Sequence, residues 1–219
     1  MFFLSKNIIL YSQQTLQIPL MDIISLIEQF AFYTGILYVI LEILQKNFMW
    51  VLGIMTGAAC AYSFAVQHLY ASMGLNIYYV VVSFWGLYQW RKDKNRLEAS
   101  ASAEVKGATI HLERLSRKTA LISLGVFIVG TALLILLLKA IGDSESVLDA
   151  VVTVMSAIAT WWLAKSYPQQ WLLFIVADVL STILCFTSGL NWMAVLYMVY
   201  IASAVYGYHH WMKKGAYVQ

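Results

Sequence analysis

Residues 169–214 read QQWLLFIVADVLSTILCFTSGLNWMAVLYMVYIASAVYGYHHWMKK, and the chain carries this stretch twice. A constant shift of 121 positions lays it without a gap on residues 48–93, FMWVLGIMTGAACAYSFAVQHLYASMGLNIYYVVVSFWGLYQWRKD. Trp171 then falls on Trp50 and Trp211 on Trp90, with Leu173 on Leu52, Leu190 on Leu69, Leu196 on Leu75, Tyr200 on Tyr79 and Gly207 on Gly86. Carried backward, the same shift puts Asp149 on Glu28. Two equivalent halves around a shared interior are a plan used by membrane carriers.

Composition names the solvent. The 219 residues are 61% apolar and 11% charged, with a mean hydropathy of +0.72, whereas soluble domains carry roughly 25% charged residues. Apolar runs long enough to cross a hydrocarbon core, about 20 residues each, recur at Leu26–Leu44, Trp50–Val66, Leu69–Trp90, Thr119–Ile141, Val147–Ala164, Trp171–Thr187 and Leu190–Trp211. The expectation is an all-α polytopic membrane protein in the lipid bilayer. Its seven transmembrane helices form two parallel three-helix bundles joined by a linker helix, a 3+1+3 plan. The fourth span alone has no partner under the shift, and two bundles of three helices share one orientation only if one extra helix carries the chain back across.

The divisions that follow are an interfacial or periplasmic segment (1–22), a first bundle (23–90), a basic cytoplasmic linker (91–118), the linker helix (119–142), a second bundle (143–211) and a cytoplasmic tail (212–219). Basic residues set the orientation. Twelve of the 14 Lys and Arg fall on the linker's side of the membrane, including Lys46, Lys165, Lys213 and Lys214. Cytoplasmic loops collect such residues, so the amino terminus is expected outside and the carboxyl terminus inside. The net charge of +3 is therefore topological, and the acidic residues within the linker dilute any nucleic-acid patch; no nucleic-acid partner is expected. Cys60 and Cys185 lie in apolar spans without metal-ligand spacing and read as packed thiols. Trp90, Trp161, Trp192 and Trp211 at span ends read as an interfacial belt.

Polar residues inside the spans fall into stripes, because positions three, four or seven apart share a helix face. Asp149, Thr153, Ser156 and Thr160 form one in the fifth span; Glu28, Gly35 and Glu42 occupy one in the first. Trp171 and Asp178 lie seven apart in the sixth, with Ser181 and Thr182 beyond. Asn76, Tyr79, Ser83 and Gly86 line the third, and the shift carries them to Tyr197, Tyr200, Ala204 and Gly207. An ionised Asp at a helix centre costs on the order of 2.5–3.5 kcal/mol in lipid, so these faces should turn inward. The substrate-binding candidates are Trp50, Asn76, Tyr79, Asp149, Ser156, Thr160, Trp171, Asp178, Tyr197 and Tyr200.

Such a lining offers rings, hydroxyls, amides and carboxylates but no Lys or Arg. It suits a polyol bearing a flat, preferably cationic ring and disfavours a phosphate-rich ligand; a neutral sugar would also fit. No Walker loop, His-Glu-x-x-His or Gly-x-Ser-x-Gly motif is present. A catalytic role, a cofactor and a metal are accordingly not expected, and a membrane-embedded enzyme is the weaker alternative.

Gly53–Ile54, Leu69–Ser72 and Trp85-Gly86-x-x-x-Trp90 in the first copy bear a family likeness, as do Asp149, Ser156, Tyr167-x-x-Gln170-Trp171-Leu172 and Gly207-x-x-x-Trp211 in the second. Together, in this order, they resemble the PnuC family of bacterial nicotinamide riboside transporters, itself similar in plan to the SWEET sugar carriers. The resemblance implies uptake of nicotinamide riboside, an NAD precursor, across the bacterial inner membrane by facilitated diffusion, with trapping by cytoplasmic phosphorylation. It is compatible with a homo-oligomer, a trimer included. This chain has Asp178 where the family often has Asn, Asn76 where Gln is frequent, and Gln170 where Asn is common.

Overall fold

The computed structural model describes residues 33–66, 70–99, 109–140, 146–187 and 191–217. Within them run seven helices: α1, described over Tyr33–Ile43, α2 (Phe48–Val66), α3 (Tyr70–Ala99), α4 (Arg117–Ala140), α5 (Ser146–Ala164), α6 (Gln170–Thr187) and α7 (Asn191–Lys214). Two short strands, β1 (Ile110–Leu112) and β2 (Gly215–Tyr217), pair in parallel. Three of the described helices, α4, α5 from Val147 and α6, are long and apolar enough to cross a membrane. Glu28, the segment 1–22 and the loop residues 142–145 lie outside the described residues.

Packing follows the repeat. α2 lies against α3 as α6 lies against α7, α5 touches both α6 and α3, and α4 rests on α5. α4 turns Leu121, Leu124, Ile128, Leu133 and Leu136 outward, as an apolar helix in lipid can.

The two halves repeat even in their turns. α1 ends with Gln45 in the left-handed region (φ 49°) and α5 ends with Ser166 there (φ 57°), again 121 positions apart. The Gln45 N–H donates to the Glu42 carbonyl (3.0 Å) and the Lys46 N–H to the Leu41 carbonyl (2.8 Å). In the other copy Ser166 N–H donates to Leu163 (2.9 Å) and Tyr167 N–H to Trp162 (3.0 Å). This is the Schellman helix stop, built twice without the usual glycine.

Three features depart from the sequence reading. α3 runs nine residues past Trp90, because RKDKNRLEA contains good helix formers and no breaker; Lys94 and Glu98 pair one turn apart (3.7 Å). The linker, which shows no strand pattern in the sequence, holds β1, whose Ile110, His111 and Leu112 are all buried. Trp90 and Trp211 are no interfacial belt. Each is fully buried and donates its indole N–H to a backbone carbonyl of the other half, Trp90 to Leu163 (3.1 Å) and Trp211 to Ile43 (3.0 Å). Those carbonyls belong to the last turns of α5 and α1, where a helix leaves acceptors unfilled, so the indoles gain more there than at headgroup depth.

Candidate functional site

The tryptophans organise the seam between the halves. Trp50 meets Trp90 edge to face (5.1 Å), Trp90 meets Trp211 (6.2 Å), and Trp211 meets Trp171 (5.5 Å). The central pair are repeat equivalents touching each other, so a pseudo-twofold axis passes between them. Trp50 and Trp171 are each seated on a glycine. A methyl at Gly86 would come within 2.6–2.8 Å of the Trp50 ring, and one at Gly207 within 2.7–2.9 Å of the Trp171 ring.

Over this layer passes β1. The Gln45 side chain makes two bonds to the His111 backbone, donating Nε2–H to its carbonyl and accepting its N–H on Oε1, both at 2.9 Å. On the other side the Glu113 N–H donates to the Ser166 carbonyl (3.1 Å). Gln45 Nε2 also reaches Ser166 Oγ (3.4 Å), a second contact between repeat equivalents. The His111 ring stands edge-on to Trp90 (5.8 Å), and burial pushes its imidazole down to about 4. Burial raises the Asp93 carboxyl, opposed by its Gln89 bonds and by Arg96.

Next to the tryptophan layer, polar groups from four helices converge. Asp178 of α6 lies within electrostatic reach of Tyr197 and Tyr200 of α7 and of Glu42 of α1. Tyr38 of α1 neighbours Glu42, Tyr200 and Tyr79 of α3. Tyr197 and Tyr200 stand edge to face (5.9 Å), and the Tyr200 hydroxyl fills the place a side chain at Gly35 would need. Glu42 also lies beside Gln170.

Four expected site residues, Tyr79, Asp178, Tyr197 and Tyr200, are thus brought together. Trp171 lies on the seam next to Gln170 in sequence, and Asn76 is buried on the face of α3 that carries Tyr79. Trp50 does not face Trp171 directly; Trp90 and Trp211 link the two. Asp149, Ser156 and Thr160 remain half-buried along α5, with the Thr160 hydroxyl donating to the Ser156 carbonyl (2.8 Å). α5 meets the cluster's neighbour Tyr78 instead, whose hydroxyl donates to the Ala157 carbonyl (2.7 Å).

Around the seam, Glu42 Oε1, both side-chain polar atoms of Gln170, and the indole N–H of Trp171 and of its equivalent Trp50 make no well-formed hydrogen bond among the described residues. An unmet buried polar atom costs about 1–3 kcal/mol, so a concentration of them marks groups held for something other than folding.

Residues 25–213 match the model of the nicotinamide mononucleotide transporter family. The chain belongs to this family. A nicotinamide mononucleotide transporter family protein is a carrier and not an enzyme. The chain is 31% identical to the nicotinamide riboside transporter PnuC of Neisseria mucosa, over 84% of its own length and 70% of that protein's. A crystal structure of the vitamin B3 transporter PnuC is similar with a TM-score of 0.65 and 28% identity, covering 86% of this chain and 81% of the other. The riboflavin/roseoflavin transporter RibM of Streptomyces davaonensis is 25% identical over 66% of this chain and 65% of that protein. Within this family member, Glu42 stands on the polar stripe of the first span but outside the candidate set, and Tyr38 and Gln170 are site neighbours that lie on none of the stripes. The repeat could have found two of them: Glu42 lies opposite Leu163 and Gln170 opposite Met49, so each is polar where its equivalent is apolar.

Proposed function

We propose that this protein carries nicotinamide riboside across the bacterial inner membrane by alternating access, with a single substrate site between two three-helix bundles. The observation that carries this reading is the converging cluster of Tyr79, Tyr197, Tyr200 and Asp178 with Glu42 and Gln170. A pyridinium ring is flat and cationic, suited to aromatic faces and carboxylates; a ribose needs hydroxyl and amide partners. The named PnuC relatives support the same substrate. The riboside fits better than its phosphorylated mononucleotide, because no Lys or Arg ion-pairs with either site carboxylate among the described residues.

On this reading α1–α3 and α5–α7 are the bundles, and α4 is the helix that lets them share one orientation. The β1–β2 end faces the cytoplasm, where the basic residues gather. Transport runs down the gradient, and phosphorylation inside the cell traps the product. Ring stacking falls to Trp171, and the ribose is bonded by Asn76, Tyr79, Tyr197 and Tyr200. Trp50 supports the seam, while Asp149, Ser156 and Thr160 line the approach along α5.

The RibM relative supports a second ligand of similar shape, a flavin with its polyol chain. Uptake into proteoliposomes decides between them. Wild-type protein is expected to transport labelled nicotinamide riboside, with excess nicotinamide mononucleotide, riboflavin or glucose competing poorly. Asn76→Ala and Tyr200→Phe should each lower flux at least about tenfold, the value of one lost hydrogen bond to a polar ligand, and Trp171→Ala, which removes the stacking ring, by a similar factor of about ten. Unchanged flux in all three would remove the cluster from the transport path.

A further inference from the structure

The internal repeat supplies a control within the same molecule. Each buried position near the tryptophan layer has an equivalent 121 residues away, in the same kind of turn and beside the same kind of ring. Beside Trp50 the first copy places Met49, and opposite Glu42 the second copy places Leu163; both are fully buried and apolar. These two show what the scaffold needs at such positions, which is apolar volume. Beside Trp171 the second copy instead places Gln170, 0% exposed, and the first copy places Glu42, 4% exposed.

Both substitutions cost stability as they stand. Among the described residues neither polar atom of the Gln170 amide nor Glu42 Oε1 makes a well-formed hydrogen bond, although the neutral Gln170 amide lies close enough to Glu42 to act on its carboxylate as a donor. No Lys, Arg or His there forms an ion pair with Glu42, whose charged neighbour is a second carboxylate, Asp178. A buried carboxylate facing another carboxylate is the opposite of what folding selects. A permanently cationic ring entering beside Trp171 would reverse the sign, giving Glu42 the counter-charge that the neutral Gln170 amide does not supply.

We infer that Glu42, flanked by Gln170, is the specificity-determining residue that makes the site prefer a cationic pyridinium riboside to a neutral riboside of the same shape. This deepens the proposed function and rests on it. Asp178 adds to the field from α6, but Glu42 stands in the turn that also positions Gln45 and the seam, so it reads the ring at the Trp171 end.

The test compares nicotinamide riboside with its uncharged 1,4-dihydro form, which keeps the ribose and carboxamide and loses the positive charge. Binding to purified protein by calorimetry and uptake into proteoliposomes are measured for wild type, Glu42→Gln and Glu42→Leu; the last installs the side chain of the equivalent position. Wild type should bind the cation at least about tenfold more tightly than the dihydro form. Glu42→Gln should bring the ratio to within about twofold, chiefly by weakening the cation. Glu42→Leu should melt no lower than wild type without substrate, showing that the carboxylate serves no structural end. A cation preference unchanged in Glu42→Gln, or an equal loss of both ligands, overturns the inference while leaving nicotinamide riboside as the substrate. Wild type that takes up neither compound overturns the substrate reading and this inference with it.

Discussion

His111 shows how one residue of the linker is committed by burial. Its backbone is held by Gln45 and its ring by Trp90, and it is 4% exposed, with Nε2 lacking a hydrogen-bond partner among the described residues. The neutral form is therefore favoured in the folded state, and the imidazole titrates at about 4 instead of 6.5. Below 6.5 the unfolded chain binds a proton that the folded chain refuses, so stability must fall with pH. The contribution is complete above pH 6.5 and is lost as pH falls toward 4; at pH 5 the loss is on the order of 2 kcal/mol. Melting of the detergent-solubilised protein should drop between pH 7 and pH 5. His111→Phe, which keeps a ring against Trp90 and removes the proton site, should flatten that drop, and an equal drop in the variant would assign it to other groups. Nothing in the triplet Ile110-His111-Leu112 announces this burial. A strand of three residues inside a charged linker acquires meaning only when the carboxyl-terminal segment, 105 positions on at each pairing, comes alongside it.

At the scale of elements, the helices were legible and their seats were not. Long apolar runs identify the spans, and the three-four-three stripes of the third and seventh spans, with the seven-residue step from Trp171 to Asp178 in the sixth, pick out Tyr79, Tyr197, Tyr200 and Asp178 as inward-facing. Burial of Trp90 and Trp211 was not legible, because a tryptophan at a span end looks the same whether it meets headgroups or a helix terminus. Gly86 and Gly207 carry the missing information: each is small because a ring of its neighbouring helix lies on it. Adding a methyl must displace a fully buried indole, and overpacking of this kind costs about 1–3 kcal/mol. Gly86→Ala and Gly207→Ala should therefore lower the melting temperature by similar amounts. Their transport should differ. Gly207→Ala moves Trp171, the ring beside Gln170, and should raise the KM for nicotinamide riboside severalfold, whereas Gly86→Ala moves Trp50 and should leave KM near that of wild type. Equal KM values in the two variants would mean that both rings, or neither, meet the substrate.

Among the described residues, the two repeats meet at one end through contacts between equivalent residues. Gln45 touches Ser166 and Trp90 touches Trp211, each pair 121 positions apart, and contact between equivalents is possible only at the pseudo-twofold axis. The bonds from Trp90 to Leu163, Trp211 to Ile43 and Gln45 to His111 close the same end. A carrier whose halves rock about a central site must break these contacts each time that end opens. A tether across them should then trap one state. With Cys60 and Cys185 replaced by Ala, Gln45→Cys and Ser166→Cys joined by a short, cleavable bifunctional thiol reagent should lose nearly all nicotinamide riboside flux and recover it on cleavage. Binding of the riboside should survive in the tethered protein, because the far end stays free to admit it. Full flux through the tethered protein would mean that this end never opens, and that substrate leaves by a path other than the seam between the repeats.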